Sequence, residues 1–239
     1  MRYCAILMAA LSLVGGAVLG QEYPNRPVRL VTSEPGGTTD FGARIVAQGI
    51  AGPLGQPVIV ENRGGGGSIS GEIVTKSAPD GYTLLVTGSS FWGAPLFRKT
   101  SYDPVRGFAP LTFLVNSPNV LVVPPSVPFK TVKELIEAAK AKPGQLNYAS
   151  SSIGSSIHLA AELFKSMAGV NIVHVPYKGS GPAIANLIGG QVQMMFATTP
   201  AVGPHIKSGK LRALGVSSPR PSVLLPDVPT IAATVPGYE

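Results

Sequence analysis

The stretch Val28-Arg-Leu-Val-Thr-Ser-Glu-Pro-Gly-Gly-Thr-Thr-Asp40 joins an apolar, strand-like run to a glycine- and hydroxyl-rich loop, and a helical pattern follows. A similar unit, with the loop Ser150 to Ser156, lies in the other half of the chain. The first N–H groups of a helix lack helical partners, and glycine and hydroxyl residues there suit a bound anion. Either loop alone is better explained by ordinary helix N-caps. Two such loops in opposite halves favour a small anionic ligand held between two lobes.

Short β-like runs alternate with helical patterns along the whole chain. The predicted strands are 28–32, 58–60, 83–86, 111–115, 120–123, 146–148, 172–175, 194–196 and 211–216. Apolar helical stripes lie between them, for example Ala43, Val46, Ala47 and Ile50. This alternation predicts an α/β fold with mostly parallel strands. Ligands of such sheets lie beyond the carboxyl ends of the strands, where both loops fall.

Residues 1–20 have the pattern of a cleavable signal peptide. Arg2 precedes an uncharged apolar stretch from Ala5 to Leu19, and the chain becomes polar at Gln21. A membrane anchor is the alternative, but the stretch is short and contains several glycines. The single cysteine, Cys4, lies in this segment, so the mature chain is predicted to contain no disulfide and no thiol nucleophile.

Composition limits the class of protein. With 44% hydrophobic residues in 239, the chain can form one large domain or two ordinary ones. The formal charge is +7, but the basic residues are scattered and there is one tryptophan, so nucleic acid is a poor partner. A proline cluster at 124–128 suggests a boundary. We therefore expect a signal peptide at 1–20, lobe one at 21–123, lobe two at 124–234, and a return into lobe one that begins at 235–239.

Catalytic and cofactor motifs do not match their required patterns. The run Gly67-Ser-Ile-Ser-Gly71 has Ile69 where a nucleophile elbow needs serine. The same isoleucine stands where a dinucleotide-binding loop beginning at Gly64 needs its third glycine. The three histidines, at positions 158, 174 and 205, have no metal-ligand spacing. We expect no enzyme activity, no cofactor and no metal; an exported hydrolase using Ser155 and His158 remains the alternative.

Motifs along the whole mature chain resemble the Bug family, the solute-binding receptors of tripartite tricarboxylate transporters. They are Arg26-Pro-Val-Arg-Leu-Val31, Pro35-Gly-Gly37, Glu61-Asn-Arg63, Pro79-Asp-Gly-Tyr-Thr-Leu-Leu85, Tyr102-Asp-Pro104, Thr131-Val-Lys-Glu-Leu135, Tyr148-Ala-Ser150, Gly154-Ser155, His158-Leu-Ala160, His174-Val-Pro-Tyr-Lys-Gly179, Leu187-Ile-Gly-Gly190, Gly209-Lys-Leu-Arg-Ala-Leu214, Leu225-Pro-Asp-Val-Pro-Thr230 and Pro236-Gly-Tyr-Glu239. The resemblance implies a two-lobed, type II-like periplasmic binding protein, each lobe a mostly parallel sheet flanked by helices. It also implies a periplasmic receptor that takes a small organic carboxylate and delivers it to membrane permease subunits. We expect this receptor to be a monomer.

The chain departs from the family pattern at several positions. Glu34 stands where a small apolar residue is usual, and it would repel a carboxylate if it faced the pocket. Ser152 replaces a frequent glycine and adds a hydroxyl to the second loop. Family members continue for roughly another quarter of their length, so we expect the first lobe to lack part of its sheet and covering helices.

The expected ligand-binding residues come from both loops and from the ends of further strand patterns. They are Pro35, Gly36, Gly37, Thr38, Thr39, Ser89, Ser151, Ser152, Gly154, Ser155, Ser156, Lys178, Thr198 and Thr199. The first loop and the second would hold carboxylates through backbone N–H and hydroxyl donors. Asp40 is interpreted instead as an acid in the first turn of a helix, paired with Arg44.

Overall fold

A computed structural model describes residues 22–239, and the predicted signal peptide lies outside the described residues. The elements are β1 (Val28–Thr32), α1 (Thr38–Leu54), β2 (Val58–Asn62), α2 (Gly67–Thr75), β3 (Thr83–Leu85), α3 (Ser89–Phe97), β4 (Asn119–Val123), α4 (Val132–Ala141), β5 (Asn147–Ser150), α5 (Ser156–Ala168), β6 (Val173–Pro176), α6 (Ser180–Ile188), β7 (Met194–Thr198), α7 (Thr199–Lys207), β8 (Arg212–Val216) and a 3-10 turn (Ile231–Ala233). Within residues 22–239, no helix has both the length and the apolar character needed to span a bilayer.

The first lobe is built on a three-stranded parallel sheet in the order β2-β1-β3. α1 follows β1 directly and ends at Gly55, whose φ of 64° is the left-handed conformation that glycine adopts readily. The helix presents its small residues Ala43 and Ala47 to Leu30 and Val86 of the sheet region, and these four form the buried cluster of this lobe. This packing fixes the start of α1 beyond the carboxyl end of β1.

The second lobe is built on a five-stranded sheet in the order β6-β5-β7-β4-β8. β5, β6 and β7 run parallel, whereas β4 is antiparallel to both of its neighbours. The strands bury large side chains such as Tyr148 and Phe196 against helices, where Phe164 of α5 packs on Phe196. The fold is therefore α/β with mostly parallel sheets, as the sequence pattern predicts.

Two predicted assignments near the lobe boundary differ from the structure. Residues 111–115 form no strand; Leu111 is 75% exposed and Phe113 81% exposed, because no described strand lies beside them. Their apolar composition is typical of a strand, but a strand also needs a pairing partner. β4 pairs with β7 and β8, so the change of sheet comes before Asn119 and not at residue 124.

The last residues of the chain pack on the second lobe. Tyr238 is buried between Phe164 and Phe196, and its hydroxyl donates to the carbonyl of Ala160 at 2.9 Å. Val235 belongs to the same buried cluster. Within the described residues, Val235 and Tyr238 thus contribute to the core of the second lobe, and the return into the first lobe that is expected to begin at 235–239 stays a prediction.

Candidate functional site

A cleft between the two lobes holds the loops that follow the strands of both sheets. It contains a cavity of about 490 Å³. The first lobe contributes the start of α2 and part of α3, and the second lobe contributes the loops after β5 and β6. The lining residues are Gly65, Gly66, Gly67, Ser68, Ser90, Ala94, Phe97, Arg98, Ser152, Ile153, Pro176, Tyr177 and Lys178. The cavity is therefore shared by both lobes.

Among residues 22–239, five α-helices start at an N-cap residue whose side chain makes no capping hydrogen bond. Their N-cap residues are Gly37 (α1), Gly66 (α2), Gly88 (α3), Gly179 (α6) and Thr198 (α7). In contrast, Thr131 caps α4 and Ser155 caps α5 with their hydroxyl oxygens. An uncapped start leaves backbone N–H groups free at the positive end of the helix dipole. Such starts suit anionic groups.

Two of these helix starts, at Gly66 and Gly88, lie close to another loop of the cleft. A Cβ placed on Gly66 would lie 3.1 Å from the Ser152 hydroxyl oxygen of the other lobe. A Cβ on Gly88 would lie 3.4 Å from Thr39 in the neighbouring loop. A side chain at Gly66 would crowd Ser152 and strain the backbone, whose φ is 77°, whereas at Gly88 a Cβ would make an ordinary contact.

Buried hydroxyl groups without a hydrogen-bond partner cluster around the same loops. Among residues 22–239 they are Thr32 Oγ1, Thr38 Oγ1, Ser68 Oγ, Thr87 Oγ1, Ser152 Oγ, Thr198 Oγ1 and Thr199 Oγ1. A buried polar group without a partner is costly, so native structures usually satisfy it with protein, water or ligand. This set of donors therefore marks where a polar ligand can gain hydrogen bonds.

The structure separates the predicted site residues into groups. Ser152 and Lys178 line the cavity, and Thr38, Thr198 and Thr199 offer unpartnered hydroxyls. Other predicted groups already have partners or lie away from the cavity. The Gly36 N–H donates to the Asp40 carboxylate, and the Thr39 hydroxyl is hydrogen-bonded to the Ser33 hydroxyl. In the second loop, the Ser151 carbonyl accepts from the Gly179 N–H, and the Gly154 N–H donates to the His158 ring. Gly37 is the N-cap of α1, Ser156 is the first residue of α5, and Pro35 and Ser89 are exposed.

The prediction missed Gly66, Gly67, Ser68, Thr87 and Ser90. Ser90 lies at the cavity where Ser89 was expected, and its hydroxyl oxygen accepts from the Gly67 N–H at 2.9 Å. The available signal was the glycine run 64–67, which follows β2 and opens α2. Glycine before a helix start suits a carboxylate as well as a dinucleotide phosphate, so this run also indicates a carboxylate site.

Asp40 supports the first loop and is not a free ligand group. Its carboxylate accepts from the Gly36 N–H at 3.0 Å and from Asn62 at 2.8 Å, and it pairs with Arg44 at 3.1 Å. Burial acts to raise the pKa of Asp40, but these hydrogen bonds and the Arg44 charge outweigh it and hold the pKa below its usual value. The predicted pairing of Asp40 with Arg44 is confirmed.

The serine and histidine of the hydrolase alternative do not form a nucleophile–base pair. The Ser155 hydroxyl donates to the Ser152 carbonyl at 2.8 Å and accepts from the His158 N–H at 3.3 Å. The ring nitrogen Nδ1 of His158 accepts from the Gly154 N–H. A serine nucleophile needs its hydroxyl bonded to a base, so this geometry does not favour the hydrolase.

The two histidines of the second lobe support the loop after β5. Their ring centroids lie 4.6 Å apart, and His174 Nε2 is 2.7 Å from the Ser150 hydroxyl. Burial lowers the pKa of both, and for His174 the nearby His158 contributes further, so that its pKa falls to about 4. His174 is therefore neutral at pH 7 and holds Ser150 at the end of β5. Among residues 22–239, no cluster of three or more potential metal ligands occurs.

Glu34 is buried at the junction of the lobes, with 8% of its surface exposed. A Cβ on Gly179 would lie 2.7 Å from Glu34 Cγ, so the second lobe covers this side chain. Burial raises the pKa of the Glu34 carboxyl, and the backbone N–H groups of Glu34 and Gly66 oppose that rise. The oxygen Oε2 is buried without a hydrogen-bond partner. The side chain therefore faces the interior of the junction and not solvent.

The fold has close counterparts among solved structures. An R. palustris protein, Rpa4515, solved with adipate, is 38% identical with a TM-score of 0.88, covering 91% of this chain and 75% of that one. The periplasmic binding protein BugD is 36% identical with a TM-score of 0.86, covering 91% and 74%. MatC from Rhodopseudomonas palustris, solved with malate, is 33% identical with a TM-score of 0.84, covering 91% and 76%.

Curated relatives that are 39% and 40% identical align with more than nine-tenths of this chain, and the chain spans 66% and 71% of their length. The family model described as the tripartite tricarboxylate transporter family receptor matches residues 42–238. The chain belongs to the tripartite tricarboxylate transporter receptor family, which includes the Bug proteins.

Proposed function

We propose that this protein is a periplasmic receptor that captures a small organic carboxylate between its lobes and delivers it to the permease subunits of a tripartite transporter. The observation that carries the proposal is the interlobe cavity, which is lined by the unpartnered hydroxyls of Ser68 and Ser152 and by the start of α2. The adipate and malate held by two related structures support a carboxylate as the ligand class. The signal-like segment at 1–20 supports export to the periplasm.

The cleft offers hydrogen-bond donors that replace those a carboxylate loses when it leaves water. Ser152 and Ser68 provide hydroxyl donors from opposite lobes. Hydrogen bonds to a charged acceptor are stronger than those to a neutral one. A ligand that bonds to both lobes stabilises the closed state through its differential affinity. We propose that this coupling presents a closed, loaded receptor to the permease.

Two cations lie at the mouth of the cavity. Arg98 and Lys178 both line it and both are exposed. Exposed charges contribute little to affinity but attract a charged ligand during its approach. We assign them to steering, which predicts that their effect on the association rate weakens with added salt.

A matched pair of serine variants tests this proposal. The protein is titrated with a panel of mono- and dicarboxylates by calorimetry, with Ser152→Ala as the site variant and Ser166→Ala, on the exposed surface of α5, as the control. We expect wild type to bind members of the panel, Ser152→Ala to bind them about tenfold or more weakly, and Ser166→Ala to match wild type. Equal loss in both variants, or binding of no carboxylate, would contradict the proposal.

A receptor also releases its ligand unchanged. We propose that the protein acts as a monomer and turns over none of the candidate esters or amides, because Ser155 and His158 are not arranged for catalysis. Recovery of hydrolysed product from a stoichiometric complex would require an enzyme instead.

A further inference from the structure

Glu34 brings a negative charge into the junction where the lobes meet. It belongs to the loop between β1 and α1, yet the glycine that covers it, Gly179, lies in the second lobe. Only glycine fits at that position, because a Cβ on Gly179 would lie 2.7 Å from Glu34 Cγ and 2.9 Å from its Cβ. Closure of the lobes thus removes the Glu34 carboxylate from water.

The buried carboxylate lies at the start of α2. The N–H of Gly66, the N-cap of that helix, acts on the Glu34 carboxyl, while the next N–H, that of Gly67, donates to the Ser90 hydroxyl. Gly66 also faces Ser152 across the cleft, so Glu34, Gly66 and Ser152 share one corner of the site. A helix start balances only about half a charge. The Glu34 carboxyl therefore already uses much of the favourable electrostatic interaction that the start of α2 can offer to an anion.

No cation among the described residues neutralises Glu34. On the neighbouring segments, Arg63 pairs with Glu61, and Asp40 pairs with Arg44. Lys178, next to Gly179, is exposed and forms no ion pair among residues 22–239. The Oε2 atom of Glu34 has no hydrogen-bond donor either. The corner therefore contains a buried carboxyl group with no paired cation, next to Gly66 of the cavity lining.

We propose that Glu34 is a specificity-determining residue that makes this receptor select ligands with a single carboxylate over dicarboxylates. This rests on the proposed carboxylate-binding function. One ligand carboxylate takes the free donors of the cleft, while Glu34 holds the position at α2 that a second ligand carboxylate would need. Like charges placed together in a desolvated site are strongly unfavourable, and specificity arises from such repulsion as well as from attraction.

The experiment compares two ligands that differ at one end only. Hexanoate and adipate both contain six carbons, but adipate carries a second carboxylate. Binding of each is measured by calorimetry for wild type, Glu34→Gln, and the control Glu137→Gln, which removes an exposed charge from α4. We expect wild type to prefer hexanoate by about tenfold or more. Glu34→Gln should gain adipate affinity by a similar factor with little change for hexanoate, and Glu137→Gln should match wild type.

A smaller variant guards against failure of Glu34→Gln to fold. Glu34→Ala removes the charge and fits any space that glutamate occupies, so it should shift the preference in the same direction. Tighter binding of adipate than hexanoate by wild type, or an unchanged preference in both variants, would overturn the assignment of Glu34 alone. Absence of binding for either acid in every variant would overturn the carboxylate-receptor function itself.

Discussion

Ser152 and Ser155 lie three positions apart in one loop and use their hydroxyl groups differently. Ser152 Oγ is buried without a partner, whereas Ser155 Oγ donates to a carbonyl and accepts the N–H of His158 at the start of α5. The sequence predicts both as ligand donors, because serine serves equally well as an N-cap and as a binding residue. Only the hydrogen-bond partners distinguish the two roles.

Ser155→Ala should reduce stability more than affinity. Loss of an N-cap serine costs about 1 kcal/mol, which corresponds to roughly 2–4 °C in Tm for a chain of this size. We expect carboxylate affinity to change by less than about threefold, since the Ser155 hydrogen is already bonded to Ser152. Thermal unfolding and calorimetry measure both. A large loss of affinity at unchanged Tm would place Ser155 among the ligand donors.

His174 should make the protein less stable in acid. Its pKa of about 4 in the folded state lies below the ordinary value of 6.5, so the unfolded state takes up a proton first as the pH falls. The stability that the neutral His174 ring contributes is thus fully present above pH 6.5 and declines between about pH 6.5 and 4. Allowing for partial exposure, we expect about 2 kcal/mol of this decline to come from His174.

Urea unfolding at a series of pH values measures that decline. His174→Gln should flatten it, and His205→Gln, on α7 and outside the histidine pair, should leave it unchanged. The remaining slope in His174→Gln reports His158, whose pKa burial also lowers. An identical slope in wild type and His174→Gln would show that the buried ring is not the source.

At the scale of elements, local patterns predict the strands and helices well but not their partners. The predicted strand at 194–196 is observed as β7, because a short apolar run between turn signals suits a buried strand. Residues 111–115 have similar composition but no neighbour, and β4 joins the second sheet. Glu34 could not be placed either, since its burial depends on Gly179 in the other lobe. Pairing between distant segments is what a single sequence does not show.

Two glycine substitutions should affect stability in opposite directions. A Cβ on Gly215 of β8 would lie 2.8 Å from Ile231 Cγ1 and 3.2 Å from Val132 Cγ2, so Gly215→Ala should destabilise by about 1–3 kcal/mol. Gly49 lies inside α1 with nothing within 4 Å of its Cβ position, so Gly49→Ala should stabilise by about 0.5–1 kcal/mol. Chemical unfolding measures both. If both variants change the free energy of unfolding in the same direction, the packing around one of the two glycines differs from that described here.

At the scale of the whole molecule, residues 98–118 connect the lobes without forming a helix or strand. Their apolar side chains at 111, 113 and 114 are exposed. Exposed segments without regular structure are the preferred sites of limited proteolysis. The connection is therefore expected to be the most accessible part of the described chain.

Chymotrypsin should first cut this connection after Leu111, Phe113 or Leu114. Mass spectrometry of the early digest is expected to find two fragments that correspond to the two lobes. Replacing these three residues with serine should slow the first cut, because the enzyme needs a large apolar side chain. A first cut within α1 or after Leu224 would instead indicate that the connection is protected.

The unequal cores of the lobes have a further consequence for how the protein opens. Within the described residues, the buried cluster of the first lobe contains four side chains, while that of the second extends from β4 to Tyr238. Regions with few buried contacts form cooperative units that unfold locally at low cost. Amide hydrogens of β1–β3 should therefore exchange with solvent deuterium well before those of β4 and β7. A bound ligand that spans the cleft would slow exchange in the first lobe selectively, and that protection would report occupancy of the receptor.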